Sequence, residues 1–248
     1  MAYNSRFKVY NTFGVVQVAA NPIFGASDKP KRKKRPSSDP DKLLALENAK
    51  ARARSAIFDI CMCNRFEWFF TWTISPDQIN RYDAKEVYRH LADFLRNISR
   101  RKGFRYVCVP ERHKDGAIHL HGLCILGSVK VERAHSPYDG HELVDDVGRP
   151  VYNMTDWRFG FSTCVPLDSE YDRTVTYITK YIRKDMSEKV FGKWYLSSRD
   201  LKKVPDIVKL EGETIENRFD PQKVIDGVQH VVYAGEGTKI LSEVVRYD

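Results

Sequence analysis

The spacing of apolar and polar residues changes character several times along the chain, and each change marks an element. Arg65-Phe66-Glu67-Trp68-Phe69-Phe70-Thr71-Trp72-Thr73-Ile74 is an aromatic and β-branched run that stops at Ser75-Pro76, which reads as a buried strand. Asp83-Ala84-Lys85-Glu86 then has the form of a capping box, and Val87, Leu91, Phe94, Leu95 and Ile98 recur at helical spacing until Lys102-Gly103. That pattern predicts an amphipathic helix. Phe104 to Glu111 and Ala117 to Leu126 read as two strands of a hairpin, joined by the polar turn His113-Lys114-Asp115-Gly116. A polar, Gly- and Asp-rich insertion spans about 133–155, after which Trp157 to Val165 reads as a strand and Arg173 to Met186 as a second helix.

Strand, helix, hairpin, strand and helix predict an α+β fold, with helices packed on one face of an antiparallel sheet. The opposite face is then left as a working surface. The flanks differ from this core of residues 57–204. Residues 1–56 read as a flexible, disordered basic arm, because Asn21 to Asp41 is rich in Pro, Ser and Lys and holds the run Lys31-Arg32-Lys33-Lys34-Arg35. Leu43 to Ile57 is expected as a short helix leading into the core. Residues 205–248 form a C-terminal extension, in which Gln229-His230-Val231-Val232-Tyr233 suggests one more strand.

Composition narrows the function classes. The chain of 248 residues carries a net charge of +8, which suits a polyanionic partner such as nucleic acid. No run approaches the ~18 apolar residues of a membrane span, and the N-terminus lacks a signal-peptide pattern, so a cytoplasmic location without a membrane partner is expected. Cys61, Cys63, Cys108, Cys124 and Cys164 form an odd set without CxxC pairs, which argues against a disulfide framework and a four-thiolate zinc site.

Two stretches carry candidate chemistry. In Ala117-Ile118-His119-Leu120-His121-Gly122-Leu123, side-chain alternation sends His119 and His121 to one face, and Ile118, Leu120 and Cys124 to the other. Such a pair is either structural or shares a metal ion. The third ligand would be Glu111, brought alongside by the hairpin, with His113 in reserve. Two nitrogens and a carboxylate accept Mn²⁺ more naturally than Mg²⁺, and either is expected.

In Thr174-Val175-Thr176-Tyr177-Ile178-Thr179-Lys180-Tyr181-Ile182-Arg183-Lys184, the motif Y-x-x-K occurs twice. At about 100° per residue, Tyr177, Tyr181 and Lys184 share one side, and Val175, Ile178 and Ile182 the other. The tyrosines stand about 6 Å apart along the axis, one turn. A phenol is a poor nucleophile unless a base, a cation or geometry assists it; Lys180 and Lys184 could favour phenolate or bind a phosphate. Two tyrosines on a helix surface also occur without any catalytic role.

Histidine-hydrophobic-histidine on a strand followed by tyrosines on a helix resembles the HUH endonuclease superfamily, the rolling-circle replication initiators of plasmids, small single-stranded DNA phages and viruses. Phe69-Phe70-Thr71-Trp72-Thr73 is similar to its first motif, with Trp72 where an aliphatic residue is more usual. His119-Leu120-His121 is similar to the second, and Tyr177 to Lys184 to the third in its two-tyrosine form. The resemblance spans roughly residues 65–200. It implies an HUH fold of RRM-like topology and a divalent metal on His119, His121 and Glu111. It further implies tyrosine attack on single-stranded origin DNA, with a 5′-phosphotyrosine on the protein and a free 3′-OH for a host DNA polymerase. Without a G-x-x-x-x-G-K-[ST] motif, unwinding would fall to a host helicase.

Three alternatives stay open. Lys102-Gly103-Phe104-Arg105-Tyr106-Val107-Cys108-Val109 comes close to the aromatic motif of RRM domains that stack single-stranded RNA, departing at Arg105 and Val109. A relaxase or single-tyrosine transposase would share the chemistry. A zinc-dependent transcription regulator would bind DNA without cleaving it.

Overall fold

The computed structural model describes residues 3–23, 39–167, 171–182, 189–212, 214–226, 228–234 and 238–247. It divides into two compact units, one formed by Met1–Ala51 with Lys203–Asp248 and the other by Arg52–Lys202.

The larger unit holds the expected core. Helix α1 (Asp39–Cys63), whose residues from Arg52 fall in this unit, is longer at both ends than the short helix expected at Leu43 to Ile57. Strand β1 (Trp68–Thr73) precedes helix α2 (Ala84–Lys102), then the hairpin β2 (Arg105–Arg112) and β3 (Ile118–Ile125). The short β4 (Val131–Arg133) and β5 (Tyr152–Met154) bracket the insertion. They are followed by β6 (Ser162–Pro166), helix α3 (Tyr171–Lys180) and β7 (Leu196–Ser197). The seven strands form one antiparallel sheet in the order β4-β5-β6-β1-β3-β2-β7.

Local chemistry sets the ends of α2. Asp83 accepts hydrogen bonds from the Lys85 and Glu86 backbone N–H groups, and Gly103, at φ 70°, closes the other end by donating its N–H to Ser99 O. The apolar stripe of Val87, Leu91, Phe94, Leu95 and Ile98 lies buried against Phe70, Trp72, Ile118, Leu120 and Cys124 of the sheet. Trp72 is the centre of this layer, stacked at 4.4 Å on Trp157. Phe104 is fully buried in the same layer and stacks on both Trp72 and Tyr106. The aromatic stretch that resembled an RRM stacking motif is therefore core packing.

Three expectations change. Residues 157–161 lie outside the strand, which begins at Ser162; Gly160 has φ 144° there, and a β-carbon on it would collide with the backbone of Thr73 and Ser75. Helix α3 ends at Lys180, and residues 183–186 of the expected helix lie outside the described residues. Helices also occupy both sheet faces rather than one: α2 covers the Leu120 side, whereas Tyr177 of α3 packs edge-on against Phe69 on the other side.

The second unit is an antiparallel sheet of five strands. It contains β8 (Tyr3–Val9), β9 (Phe13–Ile23), β10 (Asp206–Leu210), β11 (Gln229–Ala234) and β12 (Thr238–Arg246), in the order β10-β8-β9-β12-β11. The short helices α4 (Ile215–Arg218) and α5 (Pro221–Ile225) precede β11. Val16, Val18, Ile215 and Leu241 make its small core. Residues 3–23 are thus strands rather than part of a flexible arm, and they pair with the C-terminal segment that the sequence set apart. The basic run at residues 31–35 lies outside the described residues.

Candidate active site

The hairpin register sets the site. In β3, His119 stands opposite Glu111 on one side and Thr73 on the other, and His121 stands opposite Val109 and Thr71. Alternation then does what the sequence suggested: Ile118 and Leu120 are fully buried toward α2, and both histidines are half-buried on the opposite face.

The threonines of β1 orient the rings. Thr71 Oγ1 is hydrogen-bonded to His121 Nδ1 at 3.2 Å, and Thr73 Oγ1 lies 3.4 Å from His119 Nδ1. With Nδ1 so engaged, the Nε2 edges are the atoms available for further chemistry. His121 Nε2 faces Glu111 Oε2 at 3.3 Å, both only slightly exposed. When Nδ1–H donates to Thr71, the neutral ring presents a lone pair to that carboxylate. Only a proton or a cation between the two atoms makes the approach favourable. His119 is held below the usual imidazole range by burial first, then by the neighbouring His113 and His121, against the opposing pull of Asp115 and Glu111. It is thus in the neutral form that metal binding uses.

The donor types suit a divalent ion, two imidazoles with one carboxylate. Among the described residues, though, no three His, Cys, Asp or Glu side chains stand in an arrangement able to hold one. His119 rests on the His113 ring, centroids 5.3 Å apart, and His121 lies flat beneath Tyr181, centroids 3.8 Å apart.

Tyr181 belongs to the turn after α3 rather than to the helix, a turn tightened by bonds from Tyr181 N to Ile178 O and from Ile182 N to Thr179 O. Arg54 donates to the Ile182 carbonyl at 3.1 Å and closes the end. Val175, Ile178 and Ile182 are buried, as the periodicity required, and leave both tyrosines on the sheet's histidine side. The Tyr181 hydroxyl donates to the Tyr177 oxygen at 2.8 Å. Burial first, then this bond and the proximity of Tyr177 and Glu111, push the Tyr181 phenol well above its ordinary pKa. Tyr177 is the more accessible of the two at 47% exposed, with Lys180 Nζ 5.9 Å from its ring centroid. Lys184 lies outside the described residues.

The structure thus brings together His119, His121, Glu111, Tyr177, Tyr181 and Lys180. Sequence reasoning assigned no role to Thr71 and Thr73, although their T-x-T spacing on the neighbouring strand was visible. A two-residue period opposite H-x-H is the signal that would have paired them.

An antiparallel sheet that presents two oriented imidazoles, a carboxylate and two linked phenols on one face defines a site suited to chemistry on an anionic ester. Residues 67–186, just under half of the chain, match the family model of the replication-associated protein ORF2. The matched segment begins just before β1 and runs past α3, so it contains all of these residues. The comparison supports a replication-associated protein. No curated protein and no solved structure matches the chain. Among the described residues no helix is long and apolar enough to cross a membrane.

Proposed function

We propose that the chain is a replication initiator of the HUH type, which nicks single-stranded origin DNA by tyrosine attack and later rejoins the ends. The observation that carries this reading is the unbroken chain of contacts from Glu111 to His121, from His121 to Tyr181 and from Tyr181 to Tyr177. A carboxylate, an imidazole and two phenols so linked on an exposed sheet face have little purpose as packing, because buried apolar side chains fill the opposite face.

His119, His121 and Glu111 would hold a divalent ion, Mg²⁺ or Mn²⁺, with Thr71 and Thr73 orienting the rings. When bound, the ion would supply positive charge to the non-bridging oxygens of the scissile phosphate. Tyr177 is the first nucleophile. Its oxygen accepts the Tyr181 hydrogen bond, which stabilises the negative charge that develops as the phenol loses its proton, and Lys180 adds a nearby cation. The Tyr177 oxygen forms the bond to phosphorus, and the bond from phosphorus to the 3′ oxygen breaks. The 3′ oxygen takes up a proton in place of the one the phenol gave to solvent.

The DNA end then stays on the protein as a 5′-phosphotyrosine, and a host polymerase extends the free 3′-OH behind a host helicase. Tyr181, one turn away, remains available for a second cleavage while Tyr177 is occupied. Both tyrosines serving in turn would permit repeated rounds.

The test is covalent adduct formation with origin-containing single-stranded DNA in Mn²⁺ or Mg²⁺, read on a denaturing gel. Tyr177→Phe should remove most of the first-turnover adduct and Tyr181→Phe should spare it, with both together abolishing it. An adduct formed undiminished by the double variant would place the nucleophile elsewhere.

A further inference from the structure

One large aromatic side chain near the site is spent on neither core nor chemistry. Phe161 is 75% exposed, although both neighbouring side chains in its strand segment are accounted for: Phe159 is buried against Phe94 and Trp157, and Ser162 is buried and bonded to Met154. Its backbone is firmly seated. The β1–β6 ladder continues one pair beyond the strand, Thr73 N donating to Phe161 O at 2.9 Å, and Ser75 N donating to Phe159 O at 2.8 Å. Gly160, at φ 144°, allows the chain to press against β1 where any β-carbon would collide. The ring is thus presented to water from a rigid backbone.

Its position follows from register. Ser162 and Cys164 face the α2 side, so alternation sends Phe161 and the exposed Thr163 to the side of Thr71, Thr73 and the histidines. Across the sheet the row reads Phe161, Thr73, His119, Glu111. Two strand spacings put Phe161 about 10 Å from His119, a short reach along an extended nucleic-acid strand.

An exposed ring on a rigid strand, level with a phosphate site in a chain of net charge +8, has the features of a base-stacking platform. We propose that Phe161 stacks on one base of the single-stranded DNA flanking the scissile phosphate, and that Thr163 borders the same track. This rests on the reading of the histidine face as a DNA-nicking site. It adds a binding contact that holds the strand in register for attack without touching the reacting atoms.

Stacking needs a base and charge contacts do not, so two probes separate them. Fluorescence anisotropy of the full chain in chelator, with a labelled oligothymidylate and with the same sugar–phosphate backbone made of abasic residues, reads binding apart from cleavage. Phe161→Ala should weaken oligothymidylate binding by about 5- to 150-fold and leave abasic binding unchanged, the range that loss of one base–aromatic stack produces. Phe161→Trp should restore it. The side chain is exposed, so the alanine variant should melt where the wild type does.

Equal binding of both probes by wild type and Phe161→Ala would overturn the proposal. So would an equal loss on both probes, or a change in self-association without a change in DNA binding, which would assign the ring to a protein partner. If the wild type forms the covalent adduct while Phe161→Ala binds normally, only the stacking role falls. If the wild type neither binds single strands nor forms the adduct, the nicking reading falls with it.

Discussion

Leu120 separates the two histidines in sequence and faces away from them in space, so its truncation should divide stability from chemistry. The side chain is fully buried, opposite Trp72 on β1 and Pro110 on β2, within the layer covered by α2. Leu120→Ala removes three carbons from that layer, a transfer loss of about 2.4 kcal/mol at ~0.8 kcal/mol each. A residual cavity of roughly 50 Å³ at ~24 cal/mol per Å³ adds about 1.2 kcal/mol, giving about 3.5 kcal/mol in all. For a unit of this size that is a fall in Tm of about 7–14 °C. Urea unfolding followed by tryptophan emission measures it cleanly, because Trp68, Trp72, Trp157 and Trp194 all lie within Arg52–Lys202 and report on that unit alone. At temperatures where the variant remains folded, adduct formation should stay close to wild type, since the histidine face is built from the other side of the strand. A loss below about 1 kcal/mol would show that the layer is not closed around Leu120. Normal stability with lost adduct would refute the separation of the two faces.

Three further outcomes are expected. Gly122→Ala puts a β-carbon into the Phe70 ring and 2.7 Å from the Val107 carbonyl oxygen, so the same urea experiment should show a loss of about 1–3 kcal/mol. Glu111→Gln keeps the shape of the site but removes the carboxylate facing His121; the Mn²⁺ concentration giving half-maximal adduct should rise by at least about tenfold, and an unchanged titration would remove Glu111 from the ligand set. In the five-stranded unit, burial would raise the Glu243 carboxyl, but its bonds to Lys223 at 2.6 Å and Arg218 at 2.9 Å outweigh it and hold the group below the usual glutamate range. A folded pKa below the unfolded one contributes stability that is complete above the unfolded value, about 4.3, and is lost as pH falls through the folded value. Glu243→Gln should therefore cost about 1 kcal/mol at neutral pH, a modest figure because Lys223 is 44% exposed, and the gap should close in acid. Hydrogen exchange of the β12 amides at neutral and acid pH reads both, and a gap that widens in acid would reverse the assignment.

What was legible in the sequence was what depends on neighbours within a few residues. The Asp83 cap, the α2 stripe and the Gly103 stop were visible because helix ends and faces are local. So was the hairpin of β2 and β3, whose short turn sets the register that places Glu111 opposite His119. Two features misled. The Pro- and Lys-rich stretch after residue 21 coloured the whole N-terminus as an arm, although Val15, Val16 and Val18 sit in a strand-forming run. Gly160 falls inside an aromatic run that reads as strand, and only the close passage of the chain over Thr73 and Ser75 shows why the strand starts later.

The sequence alone determined the elements of the core, the side of the strand on which His119 and His121 lie, and the side of α3 on which Tyr177 lies, because side-chain period is a property of the local backbone. Tertiary structure decided which of these meet. Tyr181 lies over His121, although sixty residues separate them in sequence, and Thr71 and Thr73 engage the rings from another strand. Val18 of β9 pairs with Leu241 of β12 across nearly the full length of the chain. Pairings at such separations depend on which buried surfaces fit together once the chain has closed its long loops, and no local pattern records that choice.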